Sequence, residues 1–188
     1  MKAPVVVGIT GASGAAIGLR VVEILAGMDF PVELVVSRAG EKTLAEEIGP
    51  DALSARNLRP HPIDAVGAAI ASGSYPTSGM IVAPCSMRSL ASIAYGLADN
   101  LLSRAADVHL KERRRLVLVA RETPLNLAHL RAMTAVTEMG GIVMPPVPAF
   151  YLKPKSVGEI VDQIARRAVD ALQIGPPSAS AWDGGGLA

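Results

Sequence analysis

Short apolar runs recur along this 188-residue chain at residues 4–9, 32–36, 80–83 and 116–120, and each is followed by a loop and then by a stretch of helical apolar spacing. A run of only four to six residues that is apolar throughout reads as a strand covered on both faces, and the intervening helices supply the covers. Strands alternating with helices imply an α/β fold with a doubly wound parallel sheet. In such a sheet a ligand lies outside the carboxyl ends of the strands. The informative loops are therefore Gly11 to Gly14, Ser37-Arg38, Cys85 to Ser89, Arg121-Glu122 and residues 145–154.

The first unit is a strand over 4–9, a loop Thr10-Gly11-Ala12-Ser13-Gly14 and a helix over 15–28. The second is a strand over 32–36 ending at Ser37, with a helix over 41–48. Residues 49–78, which mix Pro60, Pro62, Gly73 and Pro76 with an Ala-rich patch at 65–71, read as irregular with one short helix. The third strand is expected to stop at Pro84 and to give way to helical sequence up to about Arg113, broken at Asp99-Asn100. After the fourth strand, Thr123 is expected to cap a helix with Pro124 in its first position, running to Met139. A short strand over 142–144, a Pro-rich loop holding Phe150 and Tyr151, and an amphipathic helix from Val157 to Leu172 complete a single domain over 1–174. The Pro-, Ser- and Gly-rich residues 175–188 are either a disordered tail or a lid.

Composition removes several classes of function. Lys plus Arg number 18 against 17 Asp plus Glu, a net charge of +1, so there is no electrostatic footprint for nucleic acid. No apolar run reaches the roughly 18 residues needed to span a bilayer, and the expected location is the cytoplasm. A single cysteine, Cys85, excludes an internal disulfide framework. Only 3% of residues are aromatic, so the core is built from Ala, Val, Leu, Ile and Met. A mean hydropathy of +0.36 is high for a chain with this much surface, which buried subunit contacts would explain.

Each loop offers its own chemistry. Gly8, Gly11 and Gly14 follow a strand and open a helix, where backbone N–H groups can hold an anion or an electron-rich ring; tight strand–helix packing alone would also use them. The acid that a dinucleotide site places on the ribose is replaced by Ser37-Arg38, which favours a mononucleotide over NAD. Cys85 to Ser89 bring two hydroxyls, a cation and a helix start together, as a phosphate requires and as an ordinary N-cap also would. A nucleophilic Cys85 would need a base from His61, His109 or His129, and those three have no metal-ligand spacing. Arg113 to Arg115 read as a solvated helix end, whereas Arg104 and Lys111, seven apart, share one helix face. Arg121-Glu122 is a charged pair at a strand's carboxyl end, with no packing reason to be there.

Taken together in this order, the segments from Gly8 to Gly14, Cys85 to Ser89, Arg104 to Arg113, Arg121 to Pro124 and Met144 to Tyr151 resemble the flavin prenyltransferase family of the UbiX type over nearly the whole chain. The resemblance implies a Rossmann-like flavoprotein fold and transfer of a dimethylallyl unit from dimethylallyl phosphate to N5 and C6 of reduced FMN. The prenylated FMN would serve a partner decarboxylase. By similarity Gly11, Ala12, Ser13, Ser37, Ser86, Met87, Arg88, Ser89 and Arg121 line the FMN site, and Arg104, Lys111, Tyr151 and Arg167 contact the dimethylallyl phosphate. Ser13, Glu47, Lys111 and Glu122 match catalytic positions, and Trp182 matches an aromatic over the prenyl group, although Ala181 stands where the family has an arginine. No metal is implied. The family pattern is a homododecamer with sites between subunits.

That assignment is chemically coherent. Breaking an allylic C–O bond puts positive charge on the five-carbon fragment and negative charge on phosphate, so the site needs π faces at one end and cations at the other. Tyr151 and Trp182 supply the first and Arg104, Lys111 and Arg167 the second, with Glu122 and Lys111 expected together at the phosphate end. Two other functions fit less of the sequence. A flavin-dependent decarboxylase of the phosphopantothenoylcysteine type expects a histidine early in the chain, and residues 1–60 hold none. A non-catalytic FMN carrier leaves Lys111, Glu122 and Arg167 without a task. The Ser37-Arg38 dipeptide predicts that the purified protein binds FMN and not NAD in parallel equilibrium titrations; NAD binding without FMN binding would overturn the cofactor reading.

Overall fold

The computed structural model describes residues 2–182 and Gly184. Five strands form one parallel sheet in the order β2-β1-β3-β4-β5: β1 Val5–Ile9, β2 Val32–Val36, β3 Gly79–Cys85, β4 Leu116–Ala120 and β5 Ile142–Val143. The helices are α1 Ala15–Gly27, α2 Arg38–Glu47, α3 Met87–Ala94, α4 Leu101–Lys111, α5 Leu127–Glu138 and α6 Val157–Ala171. Side chains alternate across the strands and divide the core in two. Val5, Val7, Ile9, Ile81, Ala83, Val117 and Val119 meet α1 and α6 on one face. Val6, Val35, Met80, Val82, Leu116 and Leu118 meet α3, α4 and α5 on the other. Both faces are covered, which is why the strand sequences read as apolar without alternation.

The sheet and helix order follow the sequence expectation, and the differences have local causes. β3 does not stop at Pro84 but runs on to Cys85, with a register shift against β4 between Val82 and Cys85. Proline has no N–H for the ladder, yet its carbonyl remains useful: Pro84 O accepts from the Thr10 N–H at 3.2 Å and from Thr10 Oγ1 at 2.8 Å. α2 begins three residues earlier than expected because Ser37 caps it, its Oγ accepting from the Gly40 N–H at 3.0 Å. α5 is capped by Asn126 and not by Thr123, in a reciprocal capping box with His129. The Ala-rich patch supplies only a 3-10 turn, Ala69–Ala71, with a second at Ser54–Arg56. The break at Asp99-Asn100 is present, with Asn100 capping α4. β5 is one residue shorter than expected.

The basic run after α4 is not wholly a solvated end. Arg114 donates to Tyr75 O at 2.8 Å and to Gly73 O, tying the irregular segment to the sheet's amino edge. Beneath it His109 is buried, Nδ1–H donating to Ala105 O at 2.7 Å and Nε2 accepting from Thr77 Oγ1 at 2.9 Å. Burial first, with the Arg114 charge as a further cause, holds this imidazole below its ordinary 6.5. Below pH 6.5 the unfolded chain therefore binds a proton that the folded chain refuses, so stability falls as the pH drops. The slope from one such group approaches about 1.4 kcal/mol per pH unit. Thermal unfolding between pH 7.5 and 5.5 should show His109→Gln losing less stability over this interval than the wild-type chain, from a lower starting value; parallel curves would show that His109 does not titrate with folding.

Candidate functional site

The loops after β1, β2, β3 and β4 are fastened to one another by backbone and hydroxyl bonds at the carboxyl edge of the sheet. Ser37 N–H donates to Ile9 O at 2.9 Å, and Arg121 N–H donates to Cys85 O at 3.1 Å. Between them, buried Thr10 donates through Oγ1 to Pro84 O and accepts there from the Ser86 N–H at 2.8 Å. Gly11 sits so close to α2 that a Cβ on it would stand 2.4 Å from Ala39 Cβ, and Gly14 closes the loop at φ 109°, where glycine is favoured. Sheet order reverses between β1 and β3, the switch point at which open α/β sheets bind ligands. A cavity of about 370 Å³ opens there, lined among others by Gly11, Ser37, Arg38, Ser86, Arg88 and Ser89.

Helices α1, α2 and α3 begin at this edge, after β1, β2 and β3, and present the positive ends of their dipoles. α1 already has an anion: the Glu47 carboxylate, at the last residue of α2, accepts from Gly14 N–H at 3.0 Å and Ala15 N–H at 2.9 Å. Partial burial pushes this carboxyl up, but hydrogen bonds from Ser13, Ala15 and Gly14 and the charge of Arg121 outweigh it and hold Glu47 below the ordinary carboxylate range. Ser13, Glu47 and Arg121 are thus one electrostatic group. At α3, Ser86 is the cap, its Oγ accepting from Ser89 N–H at 3.3 Å and lying 3.2 Å from Ser89 Oγ. Met87 and Arg88 occupy the first turn, whose N–H groups have no intrahelical acceptor. Hydroxyls, free N–H groups and a positive helix end make this turn a candidate anion seat, while Glu47 already occupies the N–H groups of Gly14 and Ala15.

Two arginines flank the cavity on exposed acids. Arg38 reaches Asp64 at 2.8 Å with side chains 77% and 72% exposed, and Arg88 lies 3.8 Å from Asp99. Pairs this exposed contribute about 0–1 kcal/mol and oppose little when a ligand phosphate competes. Cys85 is buried, and burial pushes its thiol up to about 12, so it is no nucleophile at neutral pH.

The remaining candidate residues lie elsewhere on the chain. Arg104, in the first turns of α4, donates to Asp107 at 2.6 Å and to Ala71 O at 3.2 Å. Lys111 closes the same helix about 10 Å further along and pairs with Glu112 beside Gly73. Since α4 leads into the amino end of β4 and Glu122 follows its carboxyl end, Lys111 and Glu122 sit at opposite ends of the sheet. Within one chain they do not form the shared phosphate end that the sequence suggested, because seven-residue spacing specifies a helix face but not the end of the sheet that each residue reaches. Glu122 is exposed and accepts from the Thr123 N–H at 3.0 Å. Tyr151, on the 3-10 turn Phe150–Leu152, meets Trp182 edge-to-face at 5.1 Å between ring centroids. Arg167 is exposed on α6.

Residues 1–169 match the family model Flavoprotein. The flavin prenyltransferase UbiX of Neisseria meningitidis serogroup B is 52% identical over 95% of this chain and 96% of its own. The chain belongs to the UbiX-type flavin prenyltransferases. AnUbiX (PadA1), solved in complex with FMN and dimethylallyl pyrophosphate, superposes on this prenyltransferase with a TM-score of 0.91 at 43% identity, covering 97% of this chain and 98% of that one. A dodecameric FMN-dependent UbiX-like decarboxylase from Escherichia coli O157:H7 gives 0.88 at 42%, covering 97% of this chain and all of the other.

The residue that sequence reading passed over is Thr10. A threonine at a strand end looks unremarkable, and its value lies in contacts 74 and 76 residues away. It holds the α3 cap at a fixed distance from the glycine loop, so its loss should loosen the flavin cradle. Thr10→Val, which keeps the shape but removes both bonds, should weaken FMN binding about tenfold by flavin-fluorescence titration, and Thr10→Ser should restore most of it.

Proposed function

We propose that this prenyltransferase joins the dimethylallyl unit of dimethylallyl phosphate to N5 and C6 of reduced FMN, at sites shared between subunits of an oligomer, and that a decarboxylase receives the product. The observation that carries the reading is the β1/β3 cavity with the α3 anion seat at one end and the Ser13–Glu47–Arg121 group close by. These residues fit FMN: the Ser86 to Ser89 turn takes a phosphate, and Gly11, Ala12, Ser13, Ser37 and Arg121 surround the rest. When bound in its reduced form, the flavin supplies the nucleophilic positions.

Each protein group then has a task. Glu47, kept ionised by its hydrogen bonds, orients Ser13 and offsets positive charge near the ring; a carboxylate so stabilised is a poor store for a proton. Glu122, exposed at the end of β4, is better suited to take the proton that must leave the flavin. Arg104, Lys111 and Arg167 compensate the charge that grows on the departing phosphate, and Tyr151 and Trp182 face the cationic five-carbon fragment. Lys111 is remote from its own chain's Glu122, so it serves the site of a neighbouring subunit. A carrier role would leave this divided set of charges unused, and the first histidine available to a decarboxylase, His61, is bound to Glu33 at 2.5 Å.

Incubating the protein with reduced FMN and dimethylallyl phosphate in EDTA should yield a five-carbon flavin adduct by mass spectrometry. Glu122→Gln and Lys111→Ala should retain FMN yet each lose on the order of 10²- to 10³-fold in rate. Mixed oligomers of the two variants should regain part of it, since some sites then contain neither substitution. Near wild-type adduct yield in both variants would move the transfer site elsewhere.

A further inference from the structure

The C-terminal segment does not simply trail from α6 but runs back along it, fastened at two points by side chains that hydrogen-bond its backbone. Gln163 pairs with both polar groups of one peptide residue: its Nε2 donates to Ser180 O at 3.0 Å and its Oε1 accepts from Ser180 N–H at 3.1 Å. Asp170, two turns along, accepts from the N–H groups of Ser178 at 2.8 Å and Ala179 at 3.0 Å and from Ser178 Oγ at 3.3 Å. Gln163, Arg167 and Asp170 stand at i, i+4 and i+7 and so share one helix face, with Arg167 between the two anchors. Two residues beyond Ser180 the strap ends on Trp182, which meets Tyr151 edge-to-face at 82° between ring planes. Trp182 is still 57% exposed and Tyr151 46%, so each aromatic keeps surface available to another molecule.

We infer that Gln163 and Asp170 are positioning residues that lay the strap along the α6 face that carries Arg167 and thereby set Trp182 against Tyr151, assembling the dimethylallyl end of the site. The inference rests on the proposed reading of Tyr151, Arg167 and Trp182 as that end. Five hydrogen bonds to backbone and hydroxyl groups order a Pro-, Ser- and Gly-rich segment whose described residues form no helix or strand of their own. Ordering the strap before the donor arrives removes an entropic penalty from binding. The same strap walls a second cavity, of about 630 Å³, bounded also by Leu152, Pro154 and Ile160, so its anchoring sets the shape of the space beside Tyr151. Neither anchor touches the flavin cradle, and their effect should be confined to the donor.

Trp182 is the chain's only tryptophan, so its emission reports the strap without reference to activity. In the full-length, FMN-loaded oligomer, Gln163→Leu combined with Asp170→Ala should speed the decay of Trp182 anisotropy and raise its acrylamide quenching about twofold. The same variant should raise the KM for dimethylallyl phosphate about tenfold, with kcat and FMN affinity little changed. Asp170→Asn in the presence of Gln163, which keeps an acceptor for the strap, should restore most of both signals. Unchanged Trp182 anisotropy and quenching in the double variant would overturn the anchoring, whatever the KM does. Trp182→Ala separates the two ideas: if it leaves the donor KM unchanged, the aromatic subsite itself is misassigned, whereas a raised KM there with a normal KM in the double variant overturns the positioning role alone.

Discussion

Val5–Ile9 are buried and hydrogen-bonded to β2 on one side and β3 on the other, so the three loops leaving these strands cannot separate without breaking the centre of the sheet. Close packing around β1 reinforces this. A Cβ on Gly18 of α1 would lie 2.2 Å from Ala83 O, which places α1 directly against β3 and brings its N-terminus to the same edge. Thr10 then converts strand pairing into loop pairing by bonding to Pro84 O and the Ser86 N–H at once. The anion seat and the glycine loop are rigidly spaced because both are extensions of one pair of strands.

From that rigid edge the division of labour follows. Groups assigned to flavin lie at strand ends, where a loop moves only if the sheet moves. Groups assigned to the donor lie on α4, on α6 and beyond, largely exposed within one chain. Tyr95, Leu97, Leu127, Leu130, Val147 and Phe150 are also exposed. The proposed oligomer would account for both features, with neighbouring copies covering the apolar surface and bringing Lys111 of one copy to the strand ends of another.

Much of the fold was legible locally. Burial on both faces erases alternation in the strands, and the apolar stripes of α1 and α6 mark their packed sides, so element type and order could be read from pattern alone. The clustering of the hydroxyl and glycine loops at one edge was legible too, because in a parallel sheet every strand delivers its following loop to the same side. Caps were less legible: Thr123-Pro124 and Asn126 both offer helix starts, and only the reciprocal bond with His129 decides between them. The strap was read from its composition as a tail or a lid, since nothing in Pro, Ser and Gly content announces the side chains of α6 that bind its backbone.

By itself the sequence determined an α/β parallel sheet, the loops that follow its strands and, through its resemblance across nearly the whole chain, the flavin prenyltransferase family. Periodicity sufficed because each strand and helix buries a face whose pattern is written in neighbouring residues. Tertiary structure alone decided that Pro84 stays in β3, that Thr10 joins two loops more than seventy residues apart, that Gln163 and Asp170 bind the strap, and that Lys111 and Glu122 lie at opposite ends of one sheet. These are long-range hydrogen bonds and distances. They depend on where separate elements meet in space, which no local spacing of residues encodes.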